Sequence, residues 1–497
     1  MQLVKVTLHS KNRVGDVDPR IFGGFLEHMG RAIYQGIYDP DSIHADDDGF
    51  RKDVLEALRR MNITTMRYPG GNFASGYHWI DGVGPIHLRP KVQELAWKSI
   101  EPNQFGTDEY IKLCRKMGWT PMITINLGTG SPEEARNWVE YCNSPPGTRY
   151  ADLRSRNLVE PHGVKLWCLG NEMDGPWQIG QIPAEQYALL ARNAAKMMKT
   201  LDPGIELVAC GSTSPAMTTY VEWDRQVLEG VGEAADYISL HRYVGNLNND
   251  TQDYLAITNA IDRQIEVIDA CCRFVQAKKH SEKRIYLCFD EWNVWYKNKQ
   301  MDGGWQRAPH LIEEEYNLED ALVVTGFLNS FIRHADVVKL ANLAQIVNII
   351  APILTRGDET LLQPSFYAFE MFSKRKHGTS LRQIIEGPMY EGKTNGRVCL
   401  VDSSAIIDGE RLYFFATNRR IDKATRVQLR LMDKDIAALE SGDLLTGPNA
   451  TASNTYEKPN LVKSISFNES DTSTKLDRGE FTMELPPLSA AALTFRL

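Results

Sequence analysis

Two stretches decide how this chain folds: VKLWCLGNEMDG (Val164–Gly175) and RIYLCFDEWNVW (Arg284–Trp295). Each is an apolar run long enough for a buried strand. Each closes abruptly on an acid, Glu172 or Glu291, flanked by Asn, Asp and Trp. Burying a carboxylate without partners is expensive, so stability alone does not place one there. Two such acids in matching contexts point to a cleft built at strand ends. There they would do acid/base or nucleophilic work on a neutral, oxygen-rich substrate.

Working outward, six more runs of the same texture complete a set of eight. In order the strands are expected at Ile21–Leu26, Thr64–Tyr68, Thr120–Asn126, Lys165–Leu169, Glu206–Cys210, Tyr237–Leu240, Ile285–Phe289 and Val337–Ala341. Helical periods lie between many of them. Phe50–Arg60 carries Val54, Leu55 and Leu58 on one side, and Thr107–Met117 carries Ile111, Cys114 and Met117 behind a cap at Thr107. Pro183–Met198 puts Pro in its first turn, and Asn317 is placed to cap Leu318–Arg333, with Glu319 and Asp320 behind it. Strand and helix alternating eight times predict a (β/α)₈ barrel, over residues 14–371. An open doubly wound sheet is the runner-up. It lacks a phosphate-cradling loop, since neither Gly128–Glu133 nor Gly230–Ala234 spells GxGxxG.

From about Phe372 short alternating runs follow, among them GRVCLVDSS, RLYFFATNR and TRVQLRLM, separated by Gly, Asn and Asp. They predict an antiparallel β-sandwich over residues 372–497. Residues 1–13 are expected to join it through the strand Gln2–Leu8. Asp46–Asp48 is read as a solvated acidic turn, too short for a calcium loop.

Composition narrows the function classes. The chain has 497 residues, 42% hydrophobic and 24% charged, with a formal charge of −8 and no long basic run, so nucleic acid is not the expected partner. No apolar stretch is long enough for a membrane span, and the N-terminus has no apolar core and cleavage site of a signal peptide. Eight cysteines (Cys114, Cys142, Cys168, Cys210, Cys271, Cys272, Cys288 and Cys399) fall largely in apolar runs without a CxxC pair. Free thiols in a reducing cytoplasm are the expectation, and the sequons at Asn62, Asn249 and Asn468 then have no role.

Other polar residues end strands too. Glu27 and His28 close the first strand, and Arg67 ends the second. Asn72 follows a Pro-Gly-Gly turn, and His241 and Tyr243 follow the sixth. Arg67 either keeps an acid ionised or holds Glu27. His241 is either functional or a satisfied structural histidine. Trp177, Trp292, Trp295 and Tyr296 lie beside the acids, where aromatic faces either stack on sugar rings or simply pack. No His, Asp or Glu group has metal-ligand spacing, so no metal is expected. Two carboxyls across one mouth suit glycoside hydrolysis, with retention or inversion set by their separation.

Together these segments resemble the α-L-arabinofuranosidases of glycoside hydrolase family 51. The resemblance rests on FGGFLEHMGRAIYQGIYDP (Phe22–Pro40), RYPGGNFASGYHWIDGVGP (Arg67–Pro85), WCLGNEMDGPWQIG (Trp167–Gly180), ISLHRY (Ile238–Tyr243) and FDEWNVWY (Phe289–Tyr296). It implies a catalytic barrel with a β-sandwich and cofactor-free, exo-acting removal of terminal arabinofuranosyl groups with retention. The acid/base falls on Glu172 and the nucleophile on Glu291. It places Glu27, Arg67, Asn72, Asn171, His241 and Tyr243 around the sugar, with Trp97 of LAWKSIEPN and Gln345 of LAQIVN in the pocket; Trp295 joins them on its position after Glu291. It further implies a cytoplasmic homo-oligomer, commonly a hexamer, acting on arabino-oligosaccharides or arabinoxylan fragments. One departure is HRYVGN (His241–Asn246), where similar enzymes show HQYYGN. Rival readings are a β-xylosidase or endoglucanase on the same barrel, a non-catalytic carbohydrate-binding protein and a metal-dependent barrel hydrolase.

Overall fold

The computed structural model describes residues 2–156, 160–467 and 474–497; the sequon at Asn468 lies outside the described residues. Eight parallel strands close into a barrel. They are β1 (Gly23–Phe25), β2 (Thr65–Tyr68), β3 (Thr120–Thr124), β4 (Leu166–Leu169), β5 (Glu206–Ala209), β6 (Tyr237–Val244), β7 (Tyr286–Val294) and β8 (Val338–Leu343). All eight expected strands are present in the expected order. β8 pairs back onto β1 through Asn342 with Gly23 and Leu343 with Gly24, which shuts the sheet. Met122, Leu166, Cys168, Val208, Cys288 and Leu340 fill the interior of the barrel.

Several element ends differ from expectation. β1 is short because Pro19–Phe22 forms a 3₁₀ turn before it. β6 and β7 run on past Leu240 and Phe289, pairing with each other as far as Val244 and Val294. Thr107 is the first helical residue rather than the cap. The Glu109 carboxylate accepts the Gly106 N–H, while Thr107 Oγ1 accepts from the Trp138 indole. Asn317 caps as expected, its Oδ1 accepting from Asp320 N at 3.1 Å while Asp320 Oδ2 accepts from Asn317 N at 3.0 Å. The Asp46–Asp48 turn is not simply solvated; Lys112 and Lys116 pair with it.

The C-terminal part is a β-sandwich of a seven-stranded and a five-stranded sheet. Val4, Val427 and Phe481 of one sheet meet Leu412, Phe414 and Leu493 of the other in a continuous apolar core. Gln2–Leu8 joins the five-stranded sheet but pairs parallel with Thr425–Leu431, the one parallel pair among the described sandwich strands. Arg13–Asp16 pairs with Thr379–Leu381 in the other sheet, so it straddles the junction placed at residue 13.

The helix Leu318–Arg333 is buried on every side from Leu318 to Ile332. It lies between the barrel and the strand Val401–Asp408. Polar residues on its sandwich side find partners there. Thr325 bonds Thr417, and Asn329 and Arg333 both donate to Asp402. All eight cysteines are unpaired thiols, and all but Cys399 are buried. Among the described residues no helix is long and apolar enough to cross a membrane.

Candidate active site

A cavity of about 470 Å³ opens where the C-terminal ends of the barrel strands meet, lined by Glu172 and Glu291 among others. Glu172 follows β4 through Gly170 at φ +85°, and itself adopts φ +45°. A non-glycine residue held in that left-handed region costs about 1–3 kcal/mol, which surrounding bonds must offset. Two are made by its carboxylate. The Trp177 indole donates to Oε2 at 2.7 Å, and His241 Nδ1 lies 2.9 Å from Oε1.

Glu291 is inside β7 rather than beyond its end, opposite His241 of β6. Consecutive strand residues normally face opposite sides of a sheet. Here the register slips between Ser239 and His241 on β6, and between Phe289 and Trp292 against β8. Irregularities of this kind re-aim side chains, and Asp290 and Glu291 both reach Arg67. Arg67 Nη1 donates to Glu291 Oε1 at 2.7 Å and Nη2 to Asn171 Oδ1 at 2.8 Å; Nε sits 3.2 Å from Asp290 Oδ2, an ion pair without hydrogen-bond alignment. Of the two partners foreseen for Arg67, the acid is present and Glu27 is not. The Arg67 guanidinium also packs over Phe25 at 4.7 Å. Tyr243 donates to Glu291 Oε2 at 3.0 Å, so both oxygens of this acid are held.

His241 is part of the site, its ring spanning Glu172 and, on Nε2, Asp290 at 3.3 Å. Burial disfavours its charge, but Glu291, Asp290 and Glu172 outweigh that and hold the imidazolium well above the usual histidine range. Asp290 is buried too, yet Arg67, His241 and the Ser239 hydroxyl keep it below the usual carboxylate range. Burial pushes Glu172 up; the His241 bond opposes this and the Glu291 charge adds to it.

Glu27 anchors the opposite wall. Its Oε1 accepts from Phe73 N and the Trp97 indole, and its Oε2 from Gln345 Nε2, at 3.0–3.1 Å. Those donors favour the ionised form. Burial is stronger, and with the Glu291 charge nearby it raises Glu27 to about 8. The Pro-Gly-Gly turn places Asn72 on the cavity wall. A Cβ on Gly71 would sit 2.7 Å from Glu291 Oε1, and one on Gly70, at φ +151°, would strike the Glu27 side chain. Only glycine lets the backbone approach both acids. Trp295 also lines the cavity, packed edge-on against Tyr243 with ring centroids 5.6 Å apart.

All eleven expected site residues therefore converge here. Glu172, His241 and Glu291 each bring a ligand atom within 4.8 Å of the others, a metal-capable grouping that spacing along the chain did not reveal. Two roles lay outside the expectation. Asp290 is the buried anchor of both cations, and Trp177 bonds Glu172 directly. Both stand inside quoted segments, but nothing in a sequence distinguishes an anchoring acid from its neighbour.

The domain model for the α-L-arabinofuranosidase C-terminal domain matches residues 290–489, and that for the α-L-arabinofuranosidase 1 domain matches 57–259. An intracellular exo-α-(1→5)-L-arabinofuranosidase 1 of Bacillus subtilis (strain 168) is 42% identical, with 98% of each chain covered. The chain belongs to the α-L-arabinofuranosidases of glycoside hydrolase family 51. Among solved structures of this family, that of a Bifidobacterium longum member superposes with a TM-score of 0.94 at 34% identity over 99% of each chain. An arabinose complex of the Thermotoga maritima α-L-arabinofuranosidase gives 0.89 at 34% identity, over 99% of this chain and all of that one.

Proposed function

We propose that this family 51 member is an exo-acting α-L-arabinofuranosidase that cleaves terminal α-L-arabinofuranosyl groups with net retention. The observation that carries the reading is the spacing of the acids, an oxygen of each lying within 4.8 Å of the other. Retaining glycosidases place their carboxyls about 5–5.5 Å apart, whereas inverting ones leave about 6.5–9.5 Å for a water. In this reading Glu291 attacks the anomeric carbon while Glu172 protonates the departing oxygen. The glycosyl ester on Glu291 is then broken by a water whose proton passes to Glu172.

Arg67 and Tyr243 orient the nucleophile, and Asn171, fixed by Arg67, faces the sugar 2-hydroxyl. Asn72, Trp295, Glu27, Trp97 and Gln345 take the remaining ring contacts. His241 holds the acid/base. The barrel, 14–371, carries the chemistry, and the sandwich, 1–13 and 372–497, supports it. The names of the bacterial relatives favour intracellular action and α-1,5-linked arabino-oligosaccharides, with arabinoxylan fragments as further substrates. A closed homo-oligomer, a hexamer, completes the proposal; sedimentation showing only monomer over a wide concentration range would remove that part alone.

The test is Glu291→Ala. Turnover of an aryl α-L-arabinofuranoside should vanish, and azide should restore a product of inverted configuration. Near-normal hydrolysis without azide would refute the reading. Faster cleavage of an aryl xylopyranoside than of the arabinofuranoside by the unaltered enzyme would favour the β-xylosidase alternative.

A further inference from the structure

After β2 the chain leaves the barrel and forms a short hairpin, Val92–Glu94 paired with Ser99–Glu101. Its tip bears Trp97, which is buried, lines the cavity and donates its indole N–H to Glu27. The tip is not held by strand pairing. Glu94, only 7% exposed, folds its carboxylate back over the turn and accepts from Ala96 N at 2.5 Å and from Trp97 N at 2.8 Å. Glu94 does not line the cavity.

The outer side of the same turn docks the loop that follows β7. Gly303 N donates to Trp97 O at 2.8 Å, Trp305 N to Lys98 O at 2.7 Å, and Ile100 N to Gln306 O at 3.0 Å. Lys98 pairs with Asp302 at 2.7 Å. A Cβ on Gly303 would stand 2.7 Å from Trp97 O, so the two backbones meet directly. That second loop carries Met301 and Ile312 to the cavity wall.

We propose that Glu94 is a positioning residue for the sugar pocket, fixing the hairpin tip so that Trp97 meets Glu27 and the loop after β7 closes the same wall. It acts through Trp97, and the inference rests on the proposed arabinofuranosidase activity for its kinetic readout. A wall that holds substrate and transition state equally is read out in KM rather than kcat when it is lost, so the effect is expected in KM.

The experiment is a double-mutant cycle on an aryl arabinofuranoside with Glu94→Ala, Trp97→Ala and both together. Glu94→Ala should raise KM about tenfold or more, the scale of losing the two backbone hydrogen bonds that tie the turn, with kcat much less affected. On the Trp97→Ala background the same change should add little. Glu94→Gln, which keeps one accepting oxygen, should fall between and serves if the alanine variant does not fold. Multiplicative effects in the double variant, or an unchanged KM, would overturn the proposal. Hydrogen exchange of residues 95–98 without sugar gives a separate reading; faster exchange in Glu94→Ala is expected, and unchanged exchange refutes the anchoring role. An unaltered enzyme inert toward arabinofuranosides would remove the proposed function and leave that exchange test standing.

Discussion

Replacing Tyr243 by Phe removes one oxygen and leaves the ring packed on Trp295. What is lost is the hydrogen bond to Glu291 Oε2 at 3.0 Å. A hydrogen bond to a charged group contributes about 1.5–3 kcal/mol, which corresponds to about 10- to 150-fold in a rate it controls. The direction follows from when the charge is present. In the proposed mechanism Glu291 is charged before attack and loses that charge as the glycosyl ester forms, so the first step gains no energy from the bond. In the second step the carboxylate charge returns as the ester breaks, and the Tyr243 hydroxyl stabilises it. Tyr243→Phe should therefore slow deglycosylation. With an aryl arabinofuranoside bearing a good leaving group, kcat should fall about 10- to 150-fold. KM should fall with it because the intermediate accumulates, and kcat/KM should fall much less. Steady-state kinetics, with the covalent adduct detected by intact-protein mass spectrometry, decides. A kcat within about threefold of the unaltered enzyme, less than 1 kcal/mol, would refute the argument. So would equal losses in kcat and kcat/KM, because the bond would then act on the first step.

Glu172→Ala should spare the first step for an acidic aryl leaving group and cripple it for an arabinoside with an alcohol leaving group. Azide should rescue the former with retained configuration, and equal losses on both substrates would move the acid/base elsewhere. In the unaltered enzyme, cleavage of the poor leaving group should decline on the alkaline side as Glu172 loses its proton, a limb raised above ordinary carboxylate pH by burial and the Glu291 charge; kinetics between acid and alkaline pH check it, and a limb at the ordinary glutamate value would contradict it. Trp295→Ala should raise KM more than it lowers stability, because the ring is half-buried on the cavity wall; a melting curve beside a substrate titration tests this, and a large stability loss with unchanged KM would make it a packing residue. Asp402→Ala leaves Arg333 and Arg419 without a carboxylate they share at 2.9 Å between helix and sandwich. It should cost about 3–5 kcal/mol in denaturant unfolding, and a loss below about 1 kcal/mol would show the junction is held by its apolar contacts.

Much of this was legible because barrel strands are continuous apolar runs with polar punctuation. LWCL and YLCF are too short and too branched or aromatic for helices, and the acids that follow mark the mouth. The extensions of β6 and β7 were not legible. HRYV and DEWNV carry charges that read as loop, and only the folded barrel supplies the partners that let them continue as paired strand. The hairpin bearing Trp97 was missed for a related reason. Its tip is set by the Glu94 carboxylate and by a loop two hundred residues away, and neither leaves a local pattern. The parallel pairing of Gln2–Leu8 is likewise invisible along the chain, since its partner is at Thr425–Leu431.

The two acids differ in sequence context by little, yet their surroundings separate them. Arg67 touches Glu291, Asp290 and Asn171 but not Glu172. His241 bridges Glu172 and Asp290 and carries a proton well above the usual histidine range. In the proposed mechanism Glu291 starts as the carboxylate; with Arg67 and His241 positive and Asp290 negative around it, this buried group is then electrically balanced when Glu172 holds a proton. Ionising Glu172 would leave an excess negative charge in a site where burial already opposes it. Asp290, which does not line the cavity, is thus what would permit two cations and an ionised nucleophile to share one mouth with a protonated acid in the proposed mechanism. After the glycosyl ester forms on Glu291, one negative charge disappears. The same balance then favours an ionised Glu172, beside the His241 imidazolium, ready to take a proton from water. In the proposed mechanism a single set of fixed charges thus prepares the acid for the first step and the base for the second.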